Sequence, residues 1–260
     1  FKGSNGVLLV TPKKGTEAKA KISYNGYVGF QQVTRYPDLM NAYEYATAYN
    51  EAIYNTNQWN GVAAYTPEQL EAFRNGSVGT DWWNSTIRDT APQTAHNLSV
   101  TGGTEKTKYY LSLGYMDQEG ILKSTDWNYN RYNVRSNVSV EVVKGFTVDF
   151  QLSGRYDKRT HPNGAGDLFR QAQMAAPTYS IYANDNPDYW QATGDKPNPV
   201  HMSYASEAGY EDRLRREFNG SVGITWKIPY IKGLIAKALV AYDYRNTEWK
   251  SWKKEAYEYA

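Results

Sequence analysis

The chain has 260 residues and a formal net charge of +2, so no electrostatic argument points to nucleic acid. It has no cysteine, which excludes a disulfide framework and thiolate metal sites, and no run of eighteen apolar residues, which excludes a transmembrane helix but not a transmembrane barrel. Tyrosine (24) and tryptophan (8) are abundant, which suits membrane-interface girdles and sugar-binding surfaces alike.

Residues 1–15 begin with a Gly-rich lead-in. The apolar run Val7–Val10 reads as a buried strand closed by Thr11-Pro12-Lys13-Lys14-Gly15. Gly3 and Gly6 make no phosphate loop, because no Gly-Lys-Ser/Thr follows them. Residues 19–33 alternate, with Ile22, Tyr24, Val28 and Phe30 opposite Lys21, Ser23, Asn25 and Gln31. Residues 34–93 break that rhythm and form a long loop. Leu39, Met40, Tyr43 and Ala46 fit a helix started near Pro37-Asp38. Thr66-Pro67-Glu68-Gln69 reads as a second helix start with a capping box.

Residues 94–103 and 107–117 form a hairpin, and a medium loop follows over 118–129. The strongest signal lies in 130–142 and 146–157. Tyr132, Val134, Val138, Val140, Phe146, Val148, Phe150, Leu152 and Tyr156 share one parity. Arg131, Arg135, Glu141, Asp149 and Arg155 share the other, where solvation and cross-strand pairing are their expected role. Val143-Lys144-Gly145 is the turn between the two strands. A second long loop, 158–212, holds a helical piece around Asp167–Ala175. The strands 216–227 and 234–246 complete the series, although Ile235 and Leu239 blur the polar face of the last.

Starting from the first long strand, the connections run long, short, medium, short, long, short. Outer-membrane barrels sort their connections this way, and the parity places the chain start on the periplasmic side. A soluble sandwich has no reason to do so, and it rarely keeps strands of about 11–12 residues. The fold class expected is all-β: part of a transmembrane antiparallel up-and-down β-barrel with helix-containing extracellular loops. Both ends read as cut from a longer polypeptide.

Catalytic chemistry finds little support. His96, His161 and His201 lie in separate segments without metal-ligand spacing. Asp185, Asp188 and Asp195 share one loop but lack the spacing and closing Glu of a calcium loop, so turn formation is their expected job. No catalytic residue, metal site or cofactor is expected. Trp82, Trp83, Tyr189 and Trp190, in the two long loops, are the candidate ligand-binding residues, because aromatic rings stack on sugars and peptide side chains. Packing of a large loop against itself is the competing explanation for the same rings.

Several stretches resemble one family. Asn5-Gly6-Val7-Leu8-Leu9-Val10-Thr11-Pro12-Lys13-Lys14-Gly15 resembles the end of the plug domain in SusC/RagA-type TonB-dependent transporters of Bacteroidetes, with Ser4 and Pro12 departing from the usual Ala and Thr. Ile22–Tyr27 resembles the first barrel strand, and Leu39–Tyr45 the helix after it. Asp81-Trp82-Trp83 with Ala91–Gly103, Tyr109–Tyr115 with Gln118–Ile121, and Asn130–Asn137 resemble the following loops and strands.

The resemblance implies a plugged barrel of 22 strands. Residues 1–15 would end the plug, and 16–260 would begin the barrel. It also implies outer-membrane localisation and no enzymatic activity. The activity implied is import of an oligosaccharide or peptide, energised by TonB-ExbB-ExbD through a segment absent from this sequence. A SusD-like surface lipoprotein would close the barrel, in a dimer of transporter–lipoprotein pairs, with outer-membrane lipid around the wall. A soluble carbohydrate-binding β-sandwich or surface adhesin module is the alternative. It predicts polar residues at many outward positions, and the apolar parity of five or six strands argues against it. A barrel enzyme would need a nucleophile and base close together, and the sequence suggests none.

Overall fold

The structure, a computed structural model, describes residues 13, 15–56, 61–194, 197–231, 233–255 and 257–259. The Val7–Val10 stretch, most of the 1–15 segment and Asp195 lie outside the described residues. Among the described residues one antiparallel sheet carries the chain, its seven strands neighbouring one another in sequence order. They are β1 (Lys21–Gln32), β2 (Thr90–Gly103), β3 (Thr107–Glu119), β4 (Asn128–Val143), β5 (Phe146–Pro162), β6 (Gly209–Lys227) and β7 (Ile235–Lys253). A purely next-neighbour meander is the topology of a barrel wall.

The short connections lie at one end. In the β2–β3 turn, the Thr104 amide donates to the Thr107 carbonyl at 2.7 Å. Between β4 and β5 the chain reverses through Gly145, whose φ of +81° suits a residue without Cβ. The Glu141 carboxylate accepts the Gly145 amide at 2.6 Å and pins that turn.

Several strands outrun their apolar alternation. β5 continues to Pro162, β6 begins at Gly209 and β7 reaches Lys253, so the second long loop shrinks to 163–208. β2 starts at Thr90, leaving 33–89 as the first. In these extensions polar side chains predominate on both faces, with Leu214, Trp249 and Trp252 as the large apolar exceptions. Continuous pairing in register satisfies their backbone groups and holds the strand without an apolar stripe.

The apolar parity forms one continuous face. In register across the sheet, Leu98 faces Leu113, Leu113 faces Val134, and Val138 faces Phe150, which faces Val222. Phe218 faces Tyr244, and Val222 faces Val240. On β5 the band runs from Phe146 to Tyr156, which at about 3.3 Å per residue and a barrel tilt is close to 25 Å, the height of an outer-membrane apolar belt. Phe30, Leu113, Val134, Phe150 and Val240 are all exposed within this chain, as a wall bordered by lipid requires.

Among the described residues six α-helices lie in the long loops: α1 (Ala42–Thr56), α2 (Pro67–Arg74), α3 (Trp82–Thr86), α4 (Ala165–Met174), α5 (Pro199–Ser203) and α6 (Ala205–Ala208). α1 does not start near Pro37-Asp38. Asn41 caps it, accepting the Glu44 amide at 2.9 Å while Glu44 accepts the Asn41 amide at 3.0 Å. That reciprocal pair satisfies two N-terminal donors and fixes the start at Ala42. Thr66 and Gln69 make the same kind of box at α2.

Candidate functional site

The three longer connections 33–89, 120–127 and 163–208 all lie at the end of the sheet opposite the short turns, and they fold together into one cap. Backbone and side-chain bonds stitch them. The Thr80 amide donates to the Pro177 carbonyl at 2.8 Å, and the Lys123 amide to the Thr86 carbonyl at 2.9 Å. Ser124 Oγ donates to the Ser203 carbonyl at 2.6 Å, and Asp126 accepts the Ala205 amide at 2.8 Å. The Arg88 guanidinium bonds Glu119 and the Gly120 carbonyl, tying the first loop to the end of β3.

Two apolar clusters fill the cap. Trp83, Ile87, Leu122, Leu168 and Ala172 form one, bordered by Trp127 and Phe169. Trp82, Ala175 and Val200 form the other, bordered by Tyr179, Ile181, Trp190 and Tyr204. Each cluster draws residues from different loops, so neither forms until the loops meet.

The four aromatic candidates therefore occupy different settings. Trp82 is 2% exposed, and its indole Nε1 donates to the Ala176 carbonyl at 2.9 Å. Trp83 is buried in the other cluster, tilted against Phe169. Trp190 is half-buried and stacks on His201, with ring centroids 4.9 Å apart. Tyr189 alone of the four is exposed, its ring edge-on to Tyr259. Trp82 and Trp190 share one cluster, while Trp83 lies in the other.

Two features escaped the sequence. Asn198 is fully buried and works as a hub. Its Oδ1 accepts the Val200 and His201 amides at 3.1 and 3.2 Å, and its Nδ2 donates to the Ile181 and Gln191 carbonyls at 2.9 and 3.1 Å. The Asn-Pro step at 198–199, an N-cap followed by Pro at N1, was the available signal. His201 is also buried, with Nδ1 3.1 Å from Glu258 and Nε2 3.7 Å from Glu207. The second missed feature is a cleft of about 710 Å³ between the first loop and α4, bordered by Tyr36, Leu39, Met40, Val78, Trp82 and Met174. Leu39 and Met40 precede α1 and are exposed to it, rather than packed on a helix face.

The acidic loop residues act in turns: Asp185 has a φ of +57°, and the Asp188 amide donates to Asn186 Oδ1 at 3.0 Å. Among the described residues no three His, Asp or Glu side chains converge as metal ligands would. Burial pushes the Tyr182 hydroxyl above its ordinary pKa, with Tyr204 adding to the shift.

The polar face of the sheet is a ladder of charges. Arg155, Glu217 and Arg245 are consecutive partners in one row. Glu217 pairs with Arg215 and, at 3.2 Å, with Arg245, while Arg155 holds Asp157 at 2.7 Å and reaches the Tyr129 hydroxyl at 3.2 Å. Such neutralised polar walls suit a water-filled or plugged lumen.

No family model matches the chain. It is 29% identical over 257 residues to TonB-dependent receptor P3 of Formosa agariphila, covering 95% of this chain and 23% of that protein. It is 27% identical over 264 residues to TonB-dependent receptor SusC of Bacteroides thetaiotaomicron, covering 94% of this chain and 24% of SusC. TonB-dependent receptor P26 of Formosa agariphila is 31% identical over 188 residues, 71% of this chain and 18% of that one. Among solved structures, the RagAB peptide transporter superposes with a TM-score of 0.69 at 22% identity, over 92% of this chain and 29% of that one. The chain thus spans about a quarter of the length of the curated relatives it matches. The seven-strand wall and its cap are part of an outer-membrane β-barrel, and over nearly its whole length the chain is similar to TonB-dependent receptors, SusC among them.

Proposed function

We propose that the protein containing this chain imports a nutrient, an oligosaccharide or a peptide, across the bacterial outer membrane, driven through TonB. The observation that carries this is the sorting of the connections: short turns at one end of an apolar-faced wall, and a folded, aromatic-rich cap at the other. The relatives named as TonB-dependent receptors, and the likeness to a structure titled a peptide transporter, support the same reading.

In this proposal residues 1–15 end the plug and the strands from β1 onward begin the barrel. A SusD-like lipoprotein docks on the cap over loops 33–89 and 163–208, and two such pairs form a dimer. Tyr189 and the cleft beside Met40 and Met174 are the surfaces open to a ligand, while Trp82 and Trp83 hold the cap that presents them.

The test is uptake of labelled oligosaccharide and peptide mixtures by cells carrying the full-length receptor, with and without TonB. Uptake of either class that disappears without TonB supports the proposal. Uptake unchanged when the receptor is deleted overturns it.

A further inference from the structure

The apolar face of the sheet has a hollow of about 610 Å³ that reaches from Tyr24 on β1 to Arg216 on β6. Its floor is Gly154 and Val134, its walls are Leu113, Tyr132 and Tyr156, and Arg216 stands at its rim. The strands of its floor, β4 and β5, have both sheet neighbours in this chain, while its far side reaches Tyr24 on the edge strand β1. Gly154 creates it. In its row, Val134 lies on one side and Phe218 on the other, and a Cβ built on Gly154 would stand 3.0 Å from Val134 Cγ1. Any larger side chain here would fill the hollow.

This face borders the bilayer, where an empty recess loses dispersion contacts outright and water has few partners. The filler is therefore apolar. Arg216 specifies more. On β6 the apolar band runs from Trp226 to Phe218, and Arg216 is the next residue of that face, so its guanidinium lies at the outer membrane interface. It pairs with Glu248 yet stays 45% exposed, which leaves donors free in a fork that matches phosphate. Around it on the same face lie Lys158 and Lys250, with Asp212, Glu248 and Asp117 as the carboxylates, so the rim is balanced in charge and Arg216 is the cation that stands against the hollow itself.

We propose that this hollow binds an anionic, phosphate-bearing lipid, one acyl chain lying over Gly154 and Val134 and the headgroup phosphate on Arg216. The site rests on the membrane-facing wall alone and is independent of what is imported.

The test is native mass spectrometry of the full-length receptor, released from mild detergent with equal amounts of dioleoyl phosphatidylglycerol and dioleoyl phosphatidylcholine. One basic residue at the interface gives about a fivefold preference for the anionic lipid in the unaltered receptor. R216Q should abolish that preference without lowering retention of phosphatidylcholine. L113W and G154L, which fill the hollow, should lower retention of both lipids. Heat-modifiable gel migration controls for folding, and R216Q, outside the apolar band, remains informative if G154L does not insert. The mass of lipid retained from native membranes separates a glycerophospholipid from a phosphorylated glycolipid, either of which fits. Equal lipid retention by the unaltered receptor and all three variants would overturn the proposal. So would loss of dimers in L113W at unchanged lipid count, because the hollow would then be covered by a second copy.

Discussion

Val28 on β1 and Glu248 on β7 lie in one register row of the sheet, linked through Thr94, Asp117, Asn130, Lys158 and Leu214. Both are on the same face, yet Val28 is inside the apolar band and Glu248 is beyond it. The band therefore crosses the rows diagonally. Its upper edge moves from Phe30 on β1 to Tyr244 on β7, a drop of about six residues over six strand steps; with about 3.3 Å per residue and about 4.8 Å between strands, this is a strand tilt of about 35°. That is the tilt of an outer-membrane barrel, recorded in which residues are apolar.

The band predicts a sharp contrast between adjacent residues. Phe150→Arg and Val138→Arg place a charge near the bilayer midplane and should cost about 2–4 kcal/mol, whereas Ser153→Arg and Gln151→Arg on the polar face should be nearly neutral. Urea titration of the full-length barrel in detergent, with heat-modifiable migration as the folding readout, measures this. Equal behaviour of Phe150→Arg and Gln151→Arg would place the membrane on the wrong side of the sheet.

Burial of Trp82 predicts a local effect. Trp82→Ala removes a side chain that joins α3, the 175–176 segment and Val200, and should destabilise the cap by about 3–5 kcal/mol. Hydrogen exchange should rise across 163–208 and 61–89 while β3–β5 stay protected. Trp82→Phe keeps most of the packing and leaves the Ala176 carbonyl unpaired, at a cost of about 1 kcal/mol or somewhat more.

Asn198→Ala strands four backbone groups that the amide now serves, two amides and two carbonyls. The loss of a cap plus unpaired buried carbonyls should cost about 3 kcal/mol locally. Limited proteolysis between Ile181 and Ser203 should then become fast, and Asn198→Asp should restore the α5 cap but not the two carbonyl bonds.

The turn at Gly145 predicts a smaller change. Ala at a φ of +81° costs about 1–2 kcal/mol, and its Cβ would stand 3.2 Å from the Lys227 carbonyl oxygen. Gly145→Ala should lower the urea midpoint of the barrel, and Gly145→Asn should lower it less.

At the start of α2, backbone bonding at the helix N-terminus and a bond to Thr66 hold the Glu68 carboxyl below its ordinary pKa. A depressed carboxylate stabilises the fold above its unfolded pKa, and the contribution is lost as pH falls through the lowered folded value. Amide exchange over 67–71, corrected for intrinsic rates, should therefore rise in acid. Glu68→Gln should remove that dependence.

The wall was legible because its grammar is local. Period-two alternation in Tyr132–Val142 and Phe146–Tyr156 says which face is apolar, and Gly145 and Gly233 mark the turns between strands. The capping box at Thr66 was legible for the same reason, being four residues long. The strand extensions were not. Residues 158–162 carry no large apolar side chain, so no periodicity betrays them, and pairing with β6 makes them a strand.

The cap was the least legible part. Trp82 and Trp83 read as candidate ligand contacts because exposure is not written in a loop sequence. They are buried because α4, α5 and the 120–127 loop arrive from far along the chain to cover them. By itself the sequence determined the strand faces, the sorting of the loops and the resemblance to TonB-dependent receptors. The tertiary structure alone decided which loop aromatics are core, where Asn198 and His201 lie, and that Gly154 opens a hollow beside Arg216. Alternation is set by neighbours two residues apart, while burial in a cap is set by contacts that exist only after the loops have met.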